Sequence, residues 1–179
     1  VMADIRAQVA AGAEPITFGD PDFLNGPGHA LKLARAIHAE FPTLTFDFTT
    51  KVEHILQHRA LMPEFRALGA SFVLSAFEST SDNVLQKLHK GHTRADMDEA
   101  LAILEAARLP VQSTWLPFTP WTTLDDYIDM LAWIRERDLI AHVPAVQLSI
   151  RLLVPPNSCT LYTPPTPRDR TRSRMPSSH

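Results

Sequence analysis

Apolar stretches typical of buried strands alternate along the chain with stretches that repeat apolar residues at helical spacing. The strand pattern recurs after about 25 to 35 residues, enough for a strand, a helix and their connections. This regularity predicts βα units around a parallel sheet. The predicted strands are residues 16–19, 44–50, 71–79, 110–116 and about 143–150.

Helical periodicity and capping signals define the segments between these strands. Thr93 and Thr123 are each followed three residues later by Asp, which is the spacing of a capping box with Asp where Glu is usual. Pro63 is expected to kink or restart a helix, and Ser81 to cap a short one. The predicted helices are residues 2–13, about 31–41, 52–68, 82–88, 93–108 and one that begins after Thr123.

The residues at the carboxyl ends of the predicted strands favour a barrel. Barrel enzymes build their sites on the face where these ends meet. The Gly-x-Gly-x-x-Gly fingerprint and the phosphate-binding loop of doubly wound sheets are absent. Five strands are too few to close a barrel, so the predicted fold class is α/β, a partial (β/α) barrel. The residues at these ends are Asp20, Asp22, Thr49, Thr50, Lys51, Glu78, Ser79, Thr119, Trp121 and Arg151.

Composition is that of an ordinary globular protein and excludes several partners. Of the 179 residues 45% are hydrophobic and 21% charged, and the formal net charge is -3, which gives no reason to expect nucleic acid. No apolar run approaches the roughly 20 residues of a membrane helix, and no signal peptide is recognisable. The single cysteine, Cys159, excludes an internal disulfide framework and indicates a reducing, cytoplasmic compartment.

The character of the chain changes at Cys159. Residues 159–179 are rich in proline and arginine and almost without aliphatic side chains, so we expect a disordered tail after a folded domain, residues 1–158. We interpret the tail as a divergent or out-of-frame end. The first helix lacks a capping residue and the first residue is valine, so we expect the chain to begin inside a larger protein.

Three carboxylates are candidates for chemistry. Asp20 and Asp22 either lock turns and cap helices, or converge with Glu78 on one mouth of the barrel. Glu78 directly follows an apolar run, where a carboxylate is costly unless it is paired or faces a polar cavity. Used as acid and base, the three residues would fit a barrel hydrolase or lyase. No Ser-His-Asp or Cys-His triad is recognisable, so no catalytic residue is assigned.

A histidine pair on the third predicted helix raises the question of a metal. His54 and His58 are four residues apart and share a helix face, as a zinc pair would. The zinc-protease order His-Glu-x-x-His is not met, because Glu53 precedes the pair. We therefore interpret both as exposed helix histidines and assign no metal ligand.

Four segments resemble a known enzyme family. Ala76-Phe-Glu-Ser79 is similar to the Gly-Val-Glu-Ser that ends the fourth strand of radical S-adenosylmethionine (radical SAM) enzymes. Lys90-Gly-His-Thr93 resembles their following Lys-Gly-x-Thr. Gly19-Asp-Pro-Asp22 occupies the place of the Gly-Gly-Glu segment after the second strand, and Leu116-Pro-Phe-Thr119 is similar to the segment that ends the fifth.

The resemblance covers about residues 2–157 and implies five of the six strands of that family's partial barrel. Residues 18–27 and 118–122 are also similar to the subgroup named for a CUAEP/CCAEP tail. The family's cofactors are S-adenosylmethionine (SAM) and a 4Fe-4S cluster. The cluster is held by Cys-x-x-x-Cys-x-x-Cys, which this chain lacks.

The resemblance also implies roles for individual residues. The segment that begins at Gly19 would bring Asp20 and Asp22 to the amino group of SAM, since carboxylates accept hydrogen bonds from an ammonium. Glu78 and Ser79 would bind the ribose, and Arg151 the carboxylate of SAM. Asp in place of Glu, and Ala76 in place of Gly, are departures from the family pattern.

We therefore interpret the chain as a fragment of a radical SAM enzyme, silent by itself. The parent would cleave SAM reductively to a 5′-deoxyadenosyl radical, with an electron donor and an unknown substrate as partners. A barrel hydrolase or lyase without a cluster and a non-catalytic interaction fragment are the alternatives. Loss of the first strand would leave an unpaired sheet edge, so marginal folding or self-association is expected.

Overall fold

The computed structural model of the protein describes residues 1–149, which contain a single parallel sheet. Its strands are β1 (Pro15–Thr17), β2 (Thr45–Thr49), β3 (Ala70–Glu78) and β4 (Val111–Trp115). All neighbouring strands pair in parallel, so the predicted parallel sheet is confirmed. Within the described residues it has four strands rather than the predicted five.

Helices fill the connections between the strands, close to the predicted positions. The α-helices are α1 (Met2–Ala10), α2 (Pro27–Glu40), α3 (Val52–Gln57), α4 (Met62–Ala67), α5 (Asp82–Lys87), α6 (Arg94–Ala106) and α7 (Leu124–Glu136). Short 3₁₀ helices lie at Phe23–Asn25, Arg59–Leu61, Ile140–His142 and Ala145–Leu148. In residues 1–149, none of these helices has both the length and the apolar character needed to cross a membrane.

The strand order distinguishes a barrel from a doubly wound sheet. The four strands lie side by side in chain order, β1-β2-β3-β4. Because βαβ crossovers are right-handed, crossovers that all step in one direction place their helices on one face of the sheet. A doubly wound sheet would reverse its strand order at a switch point. The predicted partial (β/α) barrel is therefore confirmed.

The face of the sheet that packs against the helices, called the helix face below, carries an aromatic core. The ring of Phe48 in β2 lies 5.3 Å from that of Phe65 in α4. Phe77 in β3 and Trp115 in β4 meet Trp133 of α7 edge-on, with ring centroids 6.0 and 5.6 Å away. All five side chains are buried, and edge-on aromatic pairs stabilise a core beyond the area they bury.

Helix starts follow the predicted capping signals. At both Thr93 and Thr123 the hydroxyl accepts a hydrogen bond from the amide three residues later, and the Asp there accepts one from the threonine amide, so both capping boxes are confirmed. Ser81 occupies the N-cap of α5, although its side chain makes no capping bond. Pro63 lies in the first turn of α4 and restarts the helix as predicted, after a break at His58.

The predicted strand at about 143–150 is wrong over residues 143–149, which contain the 3₁₀ helix Ala145–Leu148. Pro144 has no amide hydrogen to give to a sheet, and its carbonyl instead accepts a turn hydrogen bond of 2.8 Å from the Gln147 amide. The Gln147 side chain accepts from the Trp115 amide at 3.3 Å, beside β4. Ile150, Arg151 and the predicted tail lie outside the described residues, and so does the predicted domain boundary at residue 158.

Candidate functional site

The loop after β1 places Asp20 and Asp22 differently. Asp20 is exposed, and its Oδ1 accepts a hydrogen bond of 2.9 Å from the Asp22 amide. This contact is an Asx turn, which makes Asp20 a lock on the loop. Gly19, directly before it, is also exposed. Of the two carboxylates, only Asp22 reaches other elements of the fold.

Asp22 is the acceptor for three groups from the end of β2 and the start of α3. Its Oδ1 lies 2.9 Å from His54 Nδ1 and accepts from the Thr50 hydroxyl at 3.1 Å, and its Oδ2 is 3.3 Å from Lys51 Nζ. Burial of the side chain opposes ionisation, but hydrogen bonds from His54, Lys51 and Thr50 outweigh it, so the pKa of Asp22 lies below its usual value. Asp22 is therefore a carboxylate at neutral pH.

His54 is not the exposed helix histidine that its spacing from His58 predicts. Its side chain is 15% exposed, and it reaches across 32 residues of chain to Asp22. The two imidazole rings lie 5.8 Å apart. Among residues 1–149, no group of three potential metal ligands comes together. Because Asp22 accepts the Nδ1 proton, the neutral His54 ring carries its lone pair on Nε2.

Glu78 ends β3 in a backbone conformation that is rare for its residue type. Its φ is 66°, and the Ser79 amide bonds the Phe77 carbonyl across it at 2.8 Å, which is the pattern of a strained γ-turn. The register with β4 shifts at the same point. A bulge of this kind redirects the side chain at a strand end, and a positive φ at a residue with a side chain costs energy that the surrounding contacts must offset.

The segment from His89 to Thr93, called the clamp loop below, contacts the end of β3. Lys90 Nζ lies 2.9 Å from Glu78 Oε1, and both side chains are largely buried. His92 Nε2 lies 3.3 Å from the Phe77 carbonyl that also closes the γ-turn. The clamp loop thus contacts the bulge twice, through an ion pair with the Glu78 side chain and a hydrogen bond to the carbonyl of the preceding residue, Phe77.

The first turn of α3 borders both the surroundings of Asp22 and the clamp loop that holds Glu78. Lys51 and His54 in this turn contact Asp22. A Cβ atom placed on Gly91 in the clamp loop would lie 3.4 Å from Glu53 Oε2, in the same turn. The structure therefore brings the ends of β1, β2 and β3 to one face, as the sequence predicts.

Ser79 and Lys90 complete the surroundings of Glu78. Ser79 is buried, and its Oγ accepts from the Ser81 amide at 3.1 Å, so its hydroxyl hydrogen remains available to a ligand. Lys90 and His92 were not predicted as site residues from the sequence. The only signal was their place in the family-like Lys-Gly-His-Thr segment.

Comparison with known proteins identifies the fold. The sequence matches no protein-family model and no curated protein. The structure is similar to that of OxsB, a cobalamin-dependent SAM radical enzyme solved with aqua-cobalamin and SAM bound, with a TM-score of 0.59 and 17% identity over 68% of this chain. It is similar to the radical SAM methyltransferase TsrM from Kitasatospora setae, solved with cobalamin and a [4Fe-4S] cluster, with a TM-score of 0.61 and 16% identity over 77% of the chain. The chain has the fold of a radical SAM core.

This likeness concerns part of each radical SAM protein. The chain spans 19% of OxsB and 26% of TsrM. It spans 41% of methylornithine synthase (PylB), to which it is similar with a TM-score of 0.59 at 19% identity over 77% of this chain. The predicted radical SAM type of barrel is confirmed, and the CUAEP/CCAEP subgroup stays a prediction.

His92 should make the stability of this radical SAM-type barrel depend on pH. Burial, above all, lowers the pKa of His92 below its ordinary value of 6.5, so the folded state holds a neutral ring while the unfolded chain takes up the proton. Stability is therefore complete above about pH 6.5 and falls as the pH drops below it, by about 1.4 kcal/mol per pH unit at most. Urea unfolding at pH 7.5, 6.5 and 5.5 measures this loss.

The matched variants are His92→Gln, which can still donate to the Phe77 carbonyl but cannot take up a proton, and His29→Gln at an exposed position. We expect the first variant to lose less stability than the wild type on acidification and the second to behave like the wild type. Equal acid sensitivity in His92→Gln and the wild type would show that protonation of His92 does not cause the loss of stability.

Proposed function

We propose that this chain carries the SAM-binding part of a radical SAM enzyme and is catalytically inactive by itself. The main support for the proposal is the position of Glu78, a largely buried carboxylate in a strained turn at the end of β3. Its Oε1 is paired with Lys90, while its Oε2 has no hydrogen-bond partner among residues 1–149. A free carboxylate oxygen in this position is suited to accept hydrogen bonds from the hydroxyls of a ribose.

The remaining residues fit the other parts of SAM to different degrees. Ser79 has a hydroxyl hydrogen to donate beside Glu78. Asp22 Oδ2 is buried and faces one cation within the described residues, Lys51 Nζ at 3.3 Å, so the ammonium of the methionine moiety would be a second donor to it. Asp20 would not contact SAM but would fix the loop that positions Asp22. Arg151 stays a predicted partner of the SAM carboxylate, outside the described residues.

The 4Fe-4S cluster does not fit this chain. Three cysteine thiolates are needed to hold it in the family, and the whole sequence has one cysteine. We therefore propose that this chain binds SAM without cleaving it, and that cluster, electron donor and substrate belong to a parent protein. A cytoplasmic location is part of the same proposal.

The test is equilibrium dialysis of the 179-residue chain with SAM, with Glu78→Gln as the decisive variant. A hydrogen bond to a charged group contributes about 1.5 to 3 kcal/mol, so the substitution should weaken SAM binding by about 10- to 100-fold. Lys90→Met should weaken binding by a smaller factor because it releases Glu78 from its held position, and Lys90→Arg should restore it.

The control is Glu64→Gln, which removes the same charge from a surface ion pair with Arg35. It should leave SAM affinity unchanged. The proposal fails if the wild type does not bind SAM, or if Glu78→Gln and Glu64→Gln bind it equally well.

A hydrolase or lyase is the second candidate, and one observation favours it. Asp22 holds His54 at 2.9 Å with the Nε2 lone pair free, which is an arrangement for moving a proton. This candidate predicts turnover of an ester, phosphoester or glycoside library by the chain without iron, and loss of that turnover in His54→Gln. Absence of any turnover would rule out the hydrolase or lyase.

Self-association is proposed as well. β1 is an edge strand of the described sheet, with only β2 beside it. An edge that offers unpaired backbone groups pairs readily with another chain. A non-catalytic interaction fragment would behave in the same way but would not bind SAM.

A further inference from the structure

The face of the sheet opposite the helix face, called the inner face below, differs from a packed barrel interior. Side chains alternate between the two faces along a strand. Phe46 and Phe48 of β2 belong to the helix-face core, so Asp47 between them lies on the inner face. A filled barrel would carry bulky branched apolar residues on that side. This strand carries a carboxylate there instead.

The register of the sheet extends the polar character of the inner face. Thr17 of β1 pairs with Asp47, and both lie on this face. The next row joins Thr49 of β2, Leu74 of β3 and Gln112 of β4. Within the described strands the inner face thus mixes polar residues on β1, β2 and β4 with apolar ones, among them Phe72, which pairs with Asp47 from β3. Such a surface is less apolar than the packed interior of a closed barrel.

Asp47 is a carboxyl group on this face that has no cationic partner among the described residues. It is 8% exposed, and its Oδ2 accepts a hydrogen bond of 2.8 Å from the Thr17 hydroxyl. In the part of the chain that the structure describes, no lysine, arginine or histidine forms an ion pair with it. A buried carboxyl group with no cation beside it is unusual, and Asp is disfavoured within strands. A residue that breaks local rules in this way indicates a functional site.

We propose that Asp47 binds a cationic group, an ammonium or guanidinium, of the substrate that enters the inner face. This inference rests on the proposed function, because it takes the inner face as the substrate side of a SAM-binding barrel. Asp47 lies within β2, two residues before the strand end, whereas Glu78 lies at the end of β3. The substrate cation and the nucleoside would therefore occupy different places.

The test compares Asp47→Asn with Thr17→Val in the 179-residue chain. If Asp47 is retained for a ligand, removing its charge should leave the urea midpoint unchanged or raise it. Thr17→Val should lower the midpoint, because it takes away the one described partner and leaves the charge in place. A lower midpoint for Asp47→Asn than for Thr17→Val would show a structural role and overturn the proposal.

The ligand arm uses agmatine, which carries both an ammonium and a guanidinium group, with sodium chloride at equal ionic strength as the control. Millimolar agmatine should raise the melting temperature of the wild type saturably, and Asp47→Asn should need at least tenfold more agmatine for the same shift. No saturable shift in the wild type, or equal shifts in both proteins, would overturn the proposal.

SAM affinity separates this inference from the proposed function. Asp47→Asn should bind SAM as the wild type does, because Glu78 is untouched. If the wild type binds agmatine through Asp47 but not SAM, the proposed function fails and the cation site stands. If Asp47→Asn loses SAM and agmatine together, the two sites are not separate and the inference is wrong.

Discussion

Replacing Trp133 with alanine should lower the free energy of unfolding by about 3 to 5 kcal/mol, a large part of the 5 to 15 kcal/mol of a typical domain. Trp133 is completely buried and meets the rings of Phe77 and Trp115 edge-on. Its Nε1 donates to Asp98 at 3.1 Å, and the Arg137 guanidinium lies 4.4 Å from its ring centroid. The substitution therefore removes the ring that joins β3, β4, α6 and α7.

Urea unfolding followed by far-ultraviolet circular dichroism measures this loss without depending on tryptophan fluorescence. Trp121→Ala is the matched control, because that side chain is half-buried in the loop after β4. It should cost less than half as much. Similar midpoints for the two variants would show that the aromatic core on the helix face does not hold the sheet together.

Gly69→Ala should cost about 2 to 4 kcal/mol, although it adds a single methyl group. Gly69 has a φ of 105°, which strains any residue with a side chain, and an added Cβ would lie 2.8 Å from the Leu44 carbonyl oxygen. Its own carbonyl accepts from the Phe46 amide at 3.1 Å, where β3 begins to pair with β2. The methyl group would thus disturb the start of the longest strand.

Two other glycines separate the causes of this cost. Gly12 has a φ of 96° with nothing near an added Cβ, so Gly12→Ala should show the backbone strain alone, about 1 to 2 kcal/mol. Gly19 has neither strain nor a close neighbour, and Gly19→Ala should be nearly neutral. If all three variants have the same urea midpoint, residue 69 does not lie as close to the Leu44 carbonyl as described.

Local patterns in the sequence were sufficient to predict the four strands of the described sheet, the capping boxes and the restart at Pro63. These features depend on neighbours within a few residues, as in the reciprocal bonds of Thr93 with Asp96. The strand predicted at about 143–150 failed because its apolar residues flank Pro144, which begins a 3₁₀ turn. Apolar content alone does not distinguish a strand from such a turn.

The strand ends could be predicted from the sequence, whereas the side-chain contacts at those ends could not. Parallel strands deliver their carboxyl ends to one face, so the neighbourhood of Asp22 and Glu78 followed from the strand pattern. The partners did not, because His54 lies 32 residues from Asp22 and Lys90 lies 12 residues from Glu78. The strained turn at Glu78 was also invisible, since a glutamate with positive φ has no sequence signature.

An amide NMR titration of the isotope-labelled chain with SAM tests the proposed nucleoside site at the carboxyl end of β3. We expect saturable shifts concentrated at residues 77–80 and in the clamp loop, with smaller shifts at Asp22 and Thr50. Glu78→Gln should need about 10- to 100-fold more SAM for the same shifts, and Glu64→Gln should behave like the wild type. No saturable shift, or shifts confined to the amino ends of the strands, would contradict the account.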